Sequence, residues 1–164
     1  MLMSAVNEVR VKVAEHAVAG GEAVIATLGL GSCVAIVVYD GRSRVGGMAH
    51  VLLPNETLSR DARNPAKFAS SAVPLLVRSM RAAGAPGPYT AKLVGGASMF
   101  AQLLPSGGVN MGERNVEAAA SALAAAGIPV IARDTGGDFG RSVFFSVADG
   151  NVIVRSLRRG ASVI

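Results

Sequence analysis

Residues 33–54, CVAIVVYDGRSRVGGMAHVLLP, predict a β-hairpin, and the fold depends on it. The run that begins at Cys33 has the length and the β-branched composition of a buried strand. Asp40-Gly41 is a hairpin turn signal, and the segment after the turn reads as a returning strand that Pro54 ends. We therefore expect the two halves to pair antiparallel.

The hairpin brings the only cysteine of the chain close to a histidine. Pairing about the turn puts Cys33 opposite position 51, one residue from His50, and a bulge can absorb that offset. A free cysteine is often only a small buried residue. It is a nucleophile where a histidine takes its proton and lowers its pKa. Both interpretations of Cys33 stay open at this point.

A glycine-containing loop leads into Cys33. Gly29 and Gly31 permit positive φ and the close approach of another backbone, and N–H groups of such a loop can stabilise an oxyanion. On the preceding strand, Thr27 offers a hydroxyl that can orient a histidine, although threonine is also simply a good strand residue. The other histidine, His16, has no obvious companion, and we expect it at the surface or at a sheet edge.

The rest of the chain predicts a β-rich first part, followed by two helices between further strands. The first four strands are expected to be antiparallel neighbours, and the first of them carries Val9, Val11 and Val13 on one face. The expected architecture is an α/β (α+β) sandwich, a largely antiparallel mixed sheet covered by helices, in a single domain over 1–164. The predicted helices cover 65–84 and 112–127, and the later strands lie in 91–100, 128–137 and 142–157.

Composition excludes several classes of protein. The chain has 164 residues and one cysteine, so it forms no internal disulfide and no zinc site made of several thiolates. No signal peptide and no span of about 20 apolar residues is present, so we expect a cytoplasmic protein without membrane insertion. The net charge is +5, but the densest basic cluster, RSLRRG at 155–160, has no interleaved aromatics, and we predict no nucleic-acid partner.

Five motifs occur in an order that resembles the CheD family of chemoreceptor glutamine deamidases: TLGLGSCV, GGMAHVLLP, GGASMF, GERN and DTGGDFGR. The resemblance runs from about Val11 to Leu157. It implies an α/β sandwich similar to bacterial toxin deamidases that use a Cys–His pair. It also implies a catalytic triad without metal or cofactor. Its members are Cys33 as nucleophile, His50 as general base and acid, and Thr27 as the residue that orients His50.

The resemblance also implies a substrate and a partner. A CheD-type protein converts glutamine side chains of methyl-accepting chemoreceptors to glutamate through a cysteine thioester, which tunes chemotactic adaptation, and it binds a CheC phosphatase. One alternative is a non-catalytic regulator that binds and stimulates a CheC-like phosphatase. Another is a cysteine hydrolase that acts on a different amide or ester, such as a receptor methyl ester. One departure from the family is Ser70, which stands where an acidic residue is common, three positions after Lys67.

The remaining motif residues are predicted to serve as turns and caps or to shape a substrate groove. The glycine pair of GGASMF can let a strand end turn sharply, GERN can form a helix-start cap with a local ion pair, and DTGGDFGR, from Asp134 to Arg141, can shape a loop beside the sheet. The groove or structural candidates are Gly31, Ser32, Gly95, Gly96, Glu113, Arg114 and Asn115.

Overall fold

The computed structural model describes residues 7–99 and 110–164, which form two five-stranded sheets and two α-helices in three layers. Short 3-10 helices at Glu56–Leu58 and Pro65–Lys67 precede the first α-helix. The elements in chain order are β1 Glu8–Arg10, β2 His16–Gly20, β3 Val24–Leu30, β4 Val34–Asp40, β5 Val45–Val51, α1 Ala69–Ala82, β6 Thr90–Gly95, α2 Met111–Ala125, β7 Val130–Thr135, β8 Arg141–Ser146, β9 Val152–Ser156 and β10 Gly160–Val163.

The first sheet has the strand order β1-β3-β8-β9-β10, and the second has the order β2-β5-β4-β6-β7. Two pairs, β1 with β3 and β6 with β7, are parallel, and the other pairs are antiparallel. The predicted α+β sandwich, largely antiparallel and mixed, is thereby confirmed. Instead of one covered sheet, two sheets pack face to face, and the helices cover the far side of the second.

Strand β4 is buried on both faces because it lies in the middle layer. Val34, Ile36 and Val38 belong to the core between the second sheet and the helices. Ala35 and Val37 belong to the core between the two sheets. A strand covered on both sides reads as a continuous apolar run, which explains the composition of VAIVVY.

The predicted hairpin is confirmed, because β4 and β5 pair antiparallel. The four early strands are not all neighbours, however. Strand β3 lies in the first sheet and β4 in the second. The β3–β8 register shifts between Thr27 and Leu30, and Gly29 there has a φ of 70°. This bulge lets the chain leave one sheet and enter the other within a few residues.

The predicted first strand is also wrong in extent. It divides into β1, which pairs with β3, and β2, which pairs with β5 in the other sheet. Val11 is buried between the sheets, whereas Val13 is exposed. Both helices are confirmed with slightly different ends, and α1 contains Pro74. None of the helices within 7–99 and 110–164 is both long and apolar enough to span a membrane.

Candidate active site

The β4–β5 register brings Cys33 and His50 to one face of the second sheet. Val34 pairs with Val51 and Ala35 pairs with His50. The same register puts residue 52 opposite Cys33, one position beyond the predicted residue 51. Side chains alternate along a strand, and Cys33 packs in the same inter-sheet core as Ala35. Cys33 is therefore a diagonal neighbour of His50, and residues in that relation are within side-chain reach.

Thr27 reaches His50 from the opposite sheet. Its Oγ1 lies 2.7 Å from Nδ1 of His50, and both side chains are buried. The same Oγ1 donates a hydrogen bond of 2.6 Å to the carbonyl of Val11. The chain crosses between the sheets after Leu30, over residues 31–33, and this crossing turns two sequence neighbours, β3 and β4, into facing layers.

These two hydrogen bonds determine the tautomer of His50. The Thr27 hydroxyl has one hydrogen, and the Val11 carbonyl can only accept, so that hydrogen lies between the two oxygens. Thr27 Oγ1 must then accept from Nδ1–H of His50, which leaves the Nε2 lone pair free. Nε2 is buried and has no hydrogen-bond partner among residues 7–99 and 110–164. The imidazole is thus oriented as a proton acceptor at Nε2.

Burial shifts both titratable groups toward their neutral forms. Desolvation raises the pKa of the Cys33 thiol, and a hydrogen bond from the backbone N–H of Cys33 lowers it by less. Desolvation also lowers the pKa of His50. His50 is therefore not a cause of a lowered thiol pKa in the resting site. A neutral thiol beside a neutral imidazole is favoured over a thiolate beside an imidazolium.

These pKa directions predict little thiolate in the resting protein at pH 7. Because the thiol pKa is raised, Cys33 stays protonated even at a pH equal to the ordinary pKa of a cysteine. Because the His50 pKa is lowered, the imidazole stays neutral at pH values somewhat below the ordinary histidine pKa of about 6.5. The thiolate absorbance near 240 nm, read as wild type minus Cys33→Ser, should rise only in alkali. The acid limb of kcat/KM should lie below about pH 6.5. A thiolate band that persists at pH 6 would contradict this prediction.

The glycine pair of GGASMF packs against the backbone of Cys33. Gly96 N–H donates to the Cys33 carbonyl at 2.9 Å, and a Cβ on Gly95 would lie 2.4 Å from the same oxygen. Gly95 also has a φ of 109°, which other residues rarely adopt. A Cβ on Gly112, the glycine of GERN, would lie 2.4 Å from the carbonyl oxygens of Gly96 and Ala97. The predicted sharp turn therefore also supports the strand end that carries Cys33.

Asn115 joins the ends of the two strands that carry Cys33 and His50. It is fully buried on α2, and its Nδ2 donates to the carbonyls of Ser32 at 2.9 Å and Leu52 at 3.0 Å. Ser32 directly precedes Cys33, and Leu52 lies two residues after His50. The sequence interpretation of Asn115 as part of a helix-start cap is wrong, because Asn110 accepts the cap hydrogen bond from the Glu113 N–H.

Replacing Asn115 by Asp should lower kcat more than the loss of stability explains. The carboxylate has the same shape but cannot donate, so two strand-end carbonyls lose their partner at a cost of about 1–3 kcal/mol. Asn110→Ala is the matched control, because it removes the cap of the same helix, worth about 1 kcal/mol, without touching either strand end. We would measure kcat, KM and Tm for both variants. If both variants lose the same fraction of kcat at temperatures well below their Tm values, Asn115 has only a structural role.

The other predicted residues lie as follows. Glu113 and Arg114 are exposed and form no ion pair with each other, contrary to expectation. Ser70 Oγ donates to Glu56 Oε2 at 3.2 Å, so a carboxylate lies beside the position where the family pattern has an acidic residue. His16 is exposed on the edge strand β2, as predicted.

The DTGGDFGR loop docks on the glycine turn, consistent with a structural role. Gly136 N–H donates to the Gly95 carbonyl at 3.0 Å, and Ser98 N–H donates to the Gly137 carbonyl at 2.8 Å. The Arg141 side chain is buried and pairs with Asp134 at 2.9 Å. Sequence reasoning had no means of pairing these two segments, which lie some forty residues apart.

Fold and site together define an α+β sandwich with a cysteine beside a buried histidine whose tautomer a threonine hydroxyl holds. The family model described as "CheD chemotactic sensory transduction" matches residues 52–156. The chain belongs to the CheD family.

Relatives extend this similarity over nearly the whole chain. A protein of Geobacter metallireducens, named "Probable chemoreceptor glutamine deamidase CheD 2", is 46% identical over 92% of this chain and 94% of its own length. Relatives named "Probable chemoreceptor glutamine deamidase CheD" come from Desulforamulus reducens, with 39% identity over 96% of this chain and 95% of the relative, and from Thermococcus kodakarensis, with 41% over 93% and 95%. Alignments of that extent necessarily span Thr27, Cys33 and His50.

Proposed function

We propose that this protein hydrolyses glutamine side chains of chemoreceptors to glutamate, with Cys33 as nucleophile, His50 as general base and acid, and Thr27 as the residue that orients His50. The observation that carries the proposal is the Thr27–His50 hydrogen bond, which leaves Nε2 free as an acceptor on the face that Cys33 shares. The substrate follows from the names of the relatives, which are chemoreceptor glutamine deamidases.

The neutral resting pair specifies how the first step proceeds. His50 Nε2 takes the thiol proton as Cys33 Sγ attacks the carboxamide carbon, so sulfur develops negative charge only as its bond to carbon forms. The C=O oxygen becomes an oxyanion, which N–H groups of the loop around Gly31 and Ser32 stabilise. His50 then gives its proton to the nitrogen, and ammonia leaves. A glutamyl thioester on Cys33 remains.

Water completes the reaction. His50 takes a proton from a water molecule as the water oxygen attacks the thioester carbonyl, and the second tetrahedral intermediate expels the Cys33 sulfur. The sulfur takes that proton back from His50. The balance is glutamine plus water to glutamic acid plus ammonia, with the resting neutral pair restored, and near pH 7 the two products ionise to glutamate and ammonium. Each event adds one negative charge to the substrate.

Mass spectrometry of a chemoreceptor signalling-domain fragment tests this function. Incubation with the protein should add about one dalton at each modified glutamine, because NH₂ is replaced by OH, and should release one ammonia per site. Methanol release from a methylated fragment without a mass gain at glutamine would favour an ester hydrolase. No change in either substrate would overturn the proposal.

The interaction with a CheC-like phosphatase stays a prediction from the family resemblance. It is separable from deamidation by experiment, because ammonia release needs no phosphatase in the reaction. A protein that stimulates a CheC-like phosphatase but leaves glutamine unchanged would be the non-catalytic regulator.

A further inference from the structure

A groove of ≈ 830 Å³ lies at the end of the first sheet, next to the loop that leads to Cys33. Three segments line it: the bulge at Gly29, the chain from Asp138 to Ser142, and the turn between β9 and β10. Met99 also lines it, and the Met99 sulfur lies 3.2 Å from where a Cβ on residue 31 would be. A polypeptide in this groove would therefore pass directly beside the loop of the candidate nucleophile.

The walls of the groove are largely apolar and open to solvent. Phe139 lines it, and Leu157, on its rim, is fully exposed. Met99, which lines the groove, and Leu28, which directly precedes the bulge at Gly29, are each about half exposed. Contiguous exposed apolar side chains of this kind mark a surface that binds another molecule.

Arginines supply the charge of this surface. Arg155 stacks its guanidinium 5.0 Å from the ring centroid of Phe144, and Arg159 lies 4.8 Å from that of Phe139. Arg158 pairs with Asp138. Stacking on an aromatic face leaves the edge of a guanidinium free to bind carboxylates in a bidentate manner. Arg155 and Arg158 line the groove, and Arg159 lies beside it on Phe139. With these exposed arginines and one carboxylate, the groove complements a ligand that is apolar on one side and acidic on the other.

We propose that this groove binds the part of the chemoreceptor substrate that flanks the target glutamine, and that it selects segments with carboxylates beside an apolar face. The inference rests on the proposed function for the identity of the substrate. The arginines act through long-range attraction and direct pairing, which raise the association rate and lower KM.

The test compares two glutamine-containing receptor segments. One carries its native-type flanking carboxylates, and in the other serine replaces them. The protein should prefer the acidic segment by at least ~10-fold in kcat/KM at low salt, and the preference should shrink as salt screens the charges. Arg155→Glu/Arg158→Glu should abolish or invert the preference.

Arg78→Glu/Arg81→Glu is the matched control, since both arginines are exposed on α1, on the opposite side of the molecule. This variant carries a charge change of the same kind and should keep the preference. Equal preference in wild type and in Arg155→Glu/Arg158→Glu would overturn the groove assignment while leaving the deamidase function intact.

A binding measurement keeps the two proposals distinguishable. Fluorescence anisotropy with a labelled acidic segment reports on the groove without turnover, so it applies even where no ammonia is released. Wild type should bind the acidic segment at least ~10-fold more tightly than Arg155→Glu/Arg158→Glu does, with equal Tm values as the check on folding. Equal affinities would overturn the groove, whereas binding without ammonia release would count against the deamidase alone.

Discussion

Cys33→Ser is expected to abolish ammonia release from a receptor fragment while the protein stays folded. Serine has nearly the volume of cysteine, and the site is 9% exposed, so the substitution should cost little stability. The serine hydroxyl is a far weaker nucleophile than sulfur, and His50 is a weak base because burial lowers its pKa. Turnover should therefore fall by at least ~1,000-fold. The measurement is ammonia release alongside a thermal melt.

The same variant separates the two interpretations of Cys33. A cysteine that only fills the core would tolerate serine without loss of turnover, so retained deamidation in Cys33→Ser would rule out the thioester mechanism. A trapping experiment tests the thioester directly. Hydroxylamine should react with the glutamyl thioester of the wild type to give a hydroxamate, and it should give no hydroxamate with Cys33→Ser. A variant that no longer deamidates but still stimulates a CheC-like phosphatase would show that docking uses another face.

The hairpin was predictable from the sequence because its signals are local. The turn at Asp40 and the apolar strands on both sides fix antiparallel pairing, and the structure places the Asp40 side chain as acceptor for the backbone N–H groups of Arg42 and Ser43. The register came out one position off, because the turn length depends on loop conformation rather than on composition. The hairpin alone predicts that Cys33 and His50 lie close together in the chain pairing, whereas the observed register puts both side chains on one face.

The crossing of the chain from the first sheet to the second, between β3 and β4, is not predictable from residue patterns. Strands β3 and β4 are both apolar, and alternation does not say which sheet a strand joins. As a result, Thr27 was expected on a strand next to Cys33, whereas it faces His50 across the inter-sheet core. The short β10 was missed because its sequence, GASV, lacks the length and apolar pattern of a strand.

Asn115 was misinterpreted although the sequence contained a signal. Asn115, Ala119 and Leu123 follow one another at a spacing of four, so they share one helix face, and all three are buried. A polar residue on the buried face of an alanine-rich helix requires hydrogen-bond partners. The sequence could have indicated a buried asparagine, but only the fold shows that its partners are the ends of β4 and β5.

Replacing His50 should produce the second large effect on catalysis. His50→Ala removes the group that accepts the thiol proton and returns it to the leaving nitrogen, a role worth at least ~100-fold in kcat. Because the side chain is buried, alanine also leaves a cavity and removes the donor from which Thr27 Oγ1 accepts. His50→Asn separates these effects, since its amide nitrogen occupies the place of Nδ1 and can still donate to Thr27 Oγ1 but cannot act as a base.

His16→Ala is the control for His50, because His16 is exposed and lies 3.4 Å from the Ser79 hydroxyl, away from the inter-sheet core. It should leave kcat within about twofold of wild type, as expected for a surface substitution.

Thr27→Val should give a kcat between those of His16→Ala and His50→Ala. It keeps the imidazole but removes the oxygen that accepts from Nδ1–H, so Nε2 is no longer held as the acceptor. The expected order of kcat is His16→Ala, then Thr27→Val at least ~10-fold lower, then His50→Asn and His50→Ala lowest. Equal losses for His16→Ala and His50→Ala would refute the assignment of His50 as base. Full activity in Thr27→Val would instead show that the tautomer of His50 needs no threonine.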